Sequence, residues 1–111
     1  VIRATTPRHV FIFDQNPDDY SKILITYSQN GSIVLEKHKD DLTIETMEDP
    51  ETGESKWKAW YRLTQEETKS FVSSPARQVS VQIRVLTISG ESLASEKRVL
   101  QVQDVLNDEV L

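Results

Sequence analysis

Cysteine is absent from the 111-residue chain, which removes disulfides, thiolate metal sites and cysteine nucleophiles together. That composition fits a reducing cytoplasm, and equally a bacterial protein or phage particle built without disulfides. Basic residues are the next shortage: 13 Lys and Arg stand against 18 Asp and Glu, a net charge of −5, and the cations are scattered. Phosphate-tracking surfaces need clustered Lys and Arg, so nucleic acid is not an expected partner. No apolar run approaches the roughly 20 residues of a membrane helix, so no membrane partner is expected either. No signal peptide is visible, and an opening Val1 in place of Met reads as a trimmed initiator or short leader. Hydrophobic residues make up 37% of the chain, a low share for a single domain of this length. The core is therefore expected to be thin, as between two face-to-face sheets, with some apolar surface left for a partner.

What the sequence does hold is alternation. Val79 to Val102 organises the rest: Val79, Val81, Ile83 and Val85 recur at spacing two, a turn follows at Ser89-Gly90, and a second run returns. That is the period of a half-buried antiparallel strand. Upstream, Arg8 to Phe13 reads as an edge strand entered through Pro7. Asp14 to Asp19 reads as a loop. Ile23, Ile25 and Tyr27 alternate into Gln29-Asn30-Gly31. A three-residue loop there pairs Tyr27 with Ile33 and Ile25 with Leu35, and it keeps one face apolar where a two-residue turn does not. Asp41 to Thr46 is a short strand with Leu42 and Ile44 inward, and Glu48 to Glu54 is an acidic hairpin tip. Lys56 to Leu63 alternates cleanly: Trp57, Ala59, Tyr61 and Leu63 share one face, and Lys56, Lys58, Trp60 and Arg62 share the other. Thr64 to Thr68 has the capping-box form, with Thr64 at the cap and Glu67 three later, so a short helix is expected over about 65–71, ended by Ser73-Ser74-Pro75. About seven short strands with one helical turn predict an all-β, antiparallel, immunoglobulin-like β-sandwich in a single domain, 1–111.

No constellation of nucleophile, base or metal ligands emerges, so neither catalysis nor a cofactor is expected. His9 and His38 are the only histidines, lie on separate strands, and read as surface or edge residues. His38 near Asp40 and Asp41 lacks a serine in a nucleophile-elbow context. Asp14-x-Asn16-x-Asp18 mimics the start of a calcium loop, but Asp19 stands where that loop needs glycine and Ile25 where it needs glutamate. Asn30-Gly31-Ser32 matches a glycosylation sequon that turn chemistry already explains. The candidate contact residues are instead Trp60 and Arg62, outward on their strand, and Val110 and Leu111 in the closing tail. Trp and Arg are enriched where interfaces carry most of their energy. The tail, with Val105 and Leu106, would either close the sandwich or dock on a neighbouring copy.

Three signals in order carry a resemblance. Thr5, Thr6, Pro7 and His9 lead into a strand holding Phe11; Ile25-Thr26-Tyr27-Ser28-Gln29-Asn30-Gly31 forms a hairpin. Leu63-Thr64-Gln65-Glu66-Glu67-Thr68 then leads to Val81-Gln82-Ile83-Arg84-Val85-Leu86 and Leu93-Ala94-Ser95, before Val102, Val105-Leu106 and Glu109-Val110. Nearly the whole chain resembles a group of small proteins encoded in phages and prophages of Gram-positive bacteria, associated with structural genes of the tail region. The acidic stretch from Glu48 to Ser55 is longer than that group's pattern. The resemblance implies a virion or assembly component, made in the host cytoplasm, whose partners are copies of itself or other virion proteins. It brings no catalytic residue. A small phage accessory protein that binds a host protein, or a carbohydrate-binding sandwich using Trp60, are the alternatives.

Overall fold

A computed structural model describes residues 1–2, 4–71 and 78–95 and the backbone of 98–101. The strands are β1 (Arg8–Phe13), β2 (Tyr20–Gln29), β3 (Ser32–His38), β4 (Thr43–Glu48), β5 (Ser55–Arg62), β6 (Gln78–Thr87), β7 (Ser92–Ala94) and β8 (Arg98–Gln101). One helix, α1 (Gln65–Lys69), interrupts them. Every pairing is antiparallel, in a three-stranded sheet ordered β1-β5-β4 and a larger sheet ordered β3-β2-β6-β7, with β8 also on β6. The expected all-β sandwich is the observed fold, two antiparallel sheets packed face to face. β1 lies at a sheet edge, as Pro7 before it requires.

Side chains alternating along β2, β5 and β6 meet between the sheets. Ile23, Ile25 and Tyr27 from β2, Val79 and Val81 from β6, and Ala59, Tyr61 and Leu63 on and after β5 are buried. Ile83 and Val85 pack on them half-buried, so the whole Val79–Val85 series faces the core. Burying each such aliphatic or aromatic side chain is worth about 1.5–3 kcal/mol, which a chain with few apolar residues must draw from well-matched faces. The return from the Ser89-Gly90 turn is split, with β7 pairing the end of β6 next to the turn and β8 the end far from it.

The β2–β3 register corrects the sequence expectation. The turn has two residues, Asn30 (φ 53°) and Gly31 (φ 77°), both left-handed, and Gln29 pairs with Ser32. Two successive positive φ values suit Asn-Gly in the tightest hairpin turn, whose twist matches its strands. A bulge one step later then restores the apolar face: Ser28 pairs with Ile33 and Tyr27 with Leu35, leaving Val34 as the extra residue. In consequence Ile33 is 64% exposed, Val34 and Leu35 pack on the core, and Ile25 faces Lys37.

The capping box is formed as its spacing predicts. Thr64 Oγ1 accepts from the Glu67 N–H at 3.1 Å, and Glu67 Oε1 accepts from the Thr64 N–H at 2.9 Å. The helix stops at Lys69, earlier than the expected 65–71, because the chain turns at Ser70 and drops Phe71 fully buried against Tyr27, ring centroids 5.7 Å apart. Thr68 fastens the helix to the chain start: its hydroxyl accepts from the Thr5 N–H at 3.1 Å and lies 2.9 Å from the Thr5 carbonyl. The predicted Ser73-Ser74-Pro75 stop and the tail from residue 102, with Val105, Leu106, Val110 and Leu111, lie outside the described residues.

Candidate functional site

Two groups of side chains hold chemistry beyond apolar packing, and they sit on opposite faces of the three-stranded sheet. The inner one begins with His9. Strand alternation places His9, Phe11 and Phe13 on the inner face of β1 and Arg8, Val10 and Ile12 on the outer one. His9 lies on the edge strand β1, but its side chain faces inward and is not the surface histidine that the sequence allowed. Its ring stacks on Tyr27 at 5.6 Å and tilts against Tyr61 at 6.1 Å. His9 Nδ1 lies 2.5 Å from the Tyr27 hydroxyl, which in turn hydrogen-bonds the Tyr61 hydroxyl. With His9 neutral, Nδ1 accepts from Tyr27 and the Tyr27 oxygen accepts from Tyr61, an assignment that satisfies all three groups.

Burial sets the protonation of this trio. It pushes His9 below its ordinary value, aided by the Val1 ammonium, and pushes both phenols far above theirs. All three are therefore neutral at pH 7. Beside them Lys37 reaches across the Tyr61 ring, 5.6 Å from its centroid, to Glu67 Oε2 at 2.5 Å. Burial opposes ionisation of Glu67, yet the hydrogen bonds from Lys37 and the Thr64 N–H prevail and hold it below the usual carboxylate range. The inner group is a closed set of satisfied partners tying β1, β2, β3, β5 and α1 together. The sequence signal for it was the shared parity of His9 with Phe11. Apolar Val10 and Ile12 on the other parity masked that signal.

The outer face is different. Cross-strand pairing sets Val10 and Thr43 on either side of Trp60, Arg8 opposite Arg62, and Ile12 and Glu45 on either side of Lys58. The face assignment made for β5 from alternation is the one observed. Val10 is 45% and Ile12 52% exposed, so an apolar strip runs beside the half-buried Trp60. The Arg8 guanidinium lies 3.8 Å over the Trp60 ring, and the indole N–H is covered without an acceptor. Arg62 donates to the Thr6 carbonyl at 3.0 Å. Neither guanidinium has a carboxylate partner among the described residues.

The remaining sequence candidates resolve locally. In the Asp14–Asp19 loop, Asn16 Oδ1 accepts from the Asp18 N–H at 3.0 Å to cap a single 3-10 turn, and Asp14 receives Lys56 at 2.7 Å. Ile25, at the position where a calcium loop needs glutamate, is fully buried in β2. His38 ends β3 and donates its backbone N–H to Asp41 at 2.8 Å. No three His, Asp or Glu side chains gather as a metal site among the described residues. Among the depressions lined by described residues are one of about 330 Å³ between Thr6, Arg62 and the start of α1, and one of about 500 Å³ between Ser21–Leu24 and His38–Asp40. No helix among the described residues is long and apolar enough to cross a membrane. No protein-family model matches the chain, and no curated protein matches it either.

Proposed function

We propose that the protein is a non-catalytic assembly module that works by protein–protein contact through the outward face of β1-β5-β4, as a structural component of a phage tail or baseplate. The observation that carries the contact is the strip of Val10 and Ile12 beside Trp60, rimmed by Arg8, Lys58 and Arg62. An aromatic and aliphatic centre with an arginine-bearing rim is the composition of a protein interface, where Trp and Arg are the commonest anchors. β1 and β4 are the edge strands of this sheet among the described residues, and sheet edges are where a neighbouring chain can add backbone hydrogen bonds. The phage assignment is supported by the sequence resemblance alone.

A carbohydrate platform is less suited to this face, since sugar stacking needs an open ring and the Arg8 guanidinium lies on that of Trp60. Mass spectrometry of purified particles from the source strain tests the reading. It is expected to find the protein at a stoichiometry comparable to tail components, and Trp60→Ala is expected to reduce its incorporation while the variant stays folded. A protein abundant in infected cells but missing from particles would overturn the virion assignment in favour of a host-binding role.

A further inference from the structure

The three-stranded sheet is electrically polarised along its length. At one end, the β4–β5 hairpin tip carries Glu48, Glu51 and Glu54, all exposed, while Asp49 is spent on holding the turn, accepting from the Glu51 N–H at 2.9 Å. None of the three has an ion-pair partner among the described residues, and the nearest lysine, Lys56, is engaged with Asp14. At the other end lie Arg8 and Arg62, also without a carboxylate. β5 connects the two ends, and its seven steps from Ser55 to Arg62 span roughly 23 Å at about 3.3 Å each. That separation exceeds the ~8–10 Å Debye length of physiological salt, so the ends of one molecule do not neutralise one another.

We infer that this face is a self-complementary interface for a second copy of the chain, packed antiparallel across a two-fold axis. In that arrangement each Arg8–Arg62 pair meets the Glu51–Glu54 tip of its partner, and the two strips of Val10, Ile12 and Trp60 cover one another between the charged ends. A two-fold contact is the commonest way a soluble chain meets itself, and it requires that residue i touch j while j touches i. A patch with opposite charges at its two ends, and between them the strip of Val10, Ile12 and Trp60 beside the oppositely charged cross-strand neighbours Lys58 and Glu45, meets that requirement. One three-stranded sheet face is small for a stable dimer, so the association is weak and salt-sensitive. This inference rests on reading the face as an assembly surface, and it specifies the partner and the symmetry.

Sedimentation equilibrium of the intact chain at low salt tests it. A monomer–dimer equilibrium is expected that stops at two copies. Arg8→Glu with Arg62→Glu, and separately Glu51→Lys with Glu54→Lys, should each weaken the homodimer at least ~10-fold, because like charges then face each other at both ends. All four sites are exposed, so folding is preserved, and circular dichroism verifies it. Mixing the two double variants should restore a one-to-one heterodimer, and the quadruple variant should restore the homodimer. A chain that stays monomeric at millimolar concentration, grows beyond two copies, or dimerises regardless of these reversals overturns the inference. The function reading fails separately: a monomer that still enters particles in a Trp60-dependent way sinks the dimer and leaves the assembly surface standing.

Discussion

Tyr61 and Trp60 are adjacent on β5, point to opposite faces, and differ in how their polar atoms are served. The Tyr61 hydroxyl is inside a chain of hydrogen bonds that runs through Tyr27 to His9, with Lys37 and Glu67 closing the flank. The Trp60 N–H is covered and has no acceptor. Polar groups that a fold needs are usually satisfied by that fold, because an unpaired buried donor costs about 1–3 kcal/mol. The inner face is therefore complete in one chain. The outer face, with exposed aliphatics and guanidiniums that have no carboxylate partner among the described residues, is the one with surface left for a partner.

The widest separation between the two faces should come from truncation. Tyr27→Ala removes a fully buried ring that touches His9, Tyr61 and Phe71, at an expected cost of about 3–5 kcal/mol. Against the ~5–15 kcal/mol that a domain of this size has in total, that variant should be largely unfolded at 37 °C. Trp60→Ala loses a half-exposed ring and one cation–π contact, about 1–2 kcal/mol, and should give a folded monomer. Urea denaturation followed by circular dichroism measures both. Equal losses would erase the distinction between the faces.

A subtler pair sharpens the same contrast at the level of single polar atoms. Tyr61→Phe deletes a hydroxyl that Tyr27 relies on and should cost about 1–3 kcal/mol. Trp60→Phe deletes an N–H without an acceptor and keeps a smaller aromatic ring beside Arg8, so it should cost less than Tyr61→Phe, about 0.5–1 kcal/mol. If Trp60→Phe proved the costlier of the two, the indole N–H would have an acceptor after all.

Much of this fold was legible because period-two alternation leaves few choices of face. Val79 to Val85, the two faces of β5, the capping box at Thr64 and the acidic tip all follow from local pattern and local chemistry. The β2–β3 register did not, since a bulge at Val34 lets a two-residue turn and an apolar face coexist, and alternation alone treats them as exclusive. Lys37 shares the inward parity of Leu35, but its reach to Glu67 on α1 depends on a partner distant in sequence. His9 was missed for a related reason. β1 is apolar on both parities, so its sequence does not reveal which set faces the core, and only the partners on β2 and β5 decide. The outward place of Trp60 and Arg62 was legible. The orphan N–H and the Arg8 cover depend on cross-strand neighbours 50 residues away in sequence, which pattern reading does not reach.

Within the inner face, the local and the long-range parts should come apart too. Thr64→Ala removes the cap's side-chain acceptor and strands the Glu67 N–H, at an expected cost of about 1 kcal/mol. Glu67 keeps its bond to Lys37 and so anchors the helix to β3 in the variant. A denaturant midpoint moved modestly with an unchanged slope checks this. A changed slope would mean that α1 and Phe71 detach with the cap.

The smallest expected effect is the response of the inner face to pH, and His9 sets its sign. Burial among Tyr27 and Tyr61, with the Val1 ammonium nearby, holds the folded imidazole below the value of about 6.5 that it has in the unfolded chain. Between those two values the unfolded state binds a proton that the folded state does not, so unfolding is favoured as pH falls. The contribution of His9 is thus fully present above about pH 6.5, declines below it, and levels off once the folded imidazole also titrates. Glu67, held below the carboxylate range, loses its contribution only at lower pH, as acid reaches its folded value, so the two windows are separable. His9→Gln keeps an acceptor for the Tyr27 hydroxyl without a proton to gain, and it should flatten the stability profile between pH 6.5 and 5. Trp60→Phe should leave that slope as it is. A parent protein with equal stability at pH 7 and pH 5, or a His9→Gln variant with an undiminished slope, would place His9 outside the buried hydrogen-bonded chain and return it to the surface.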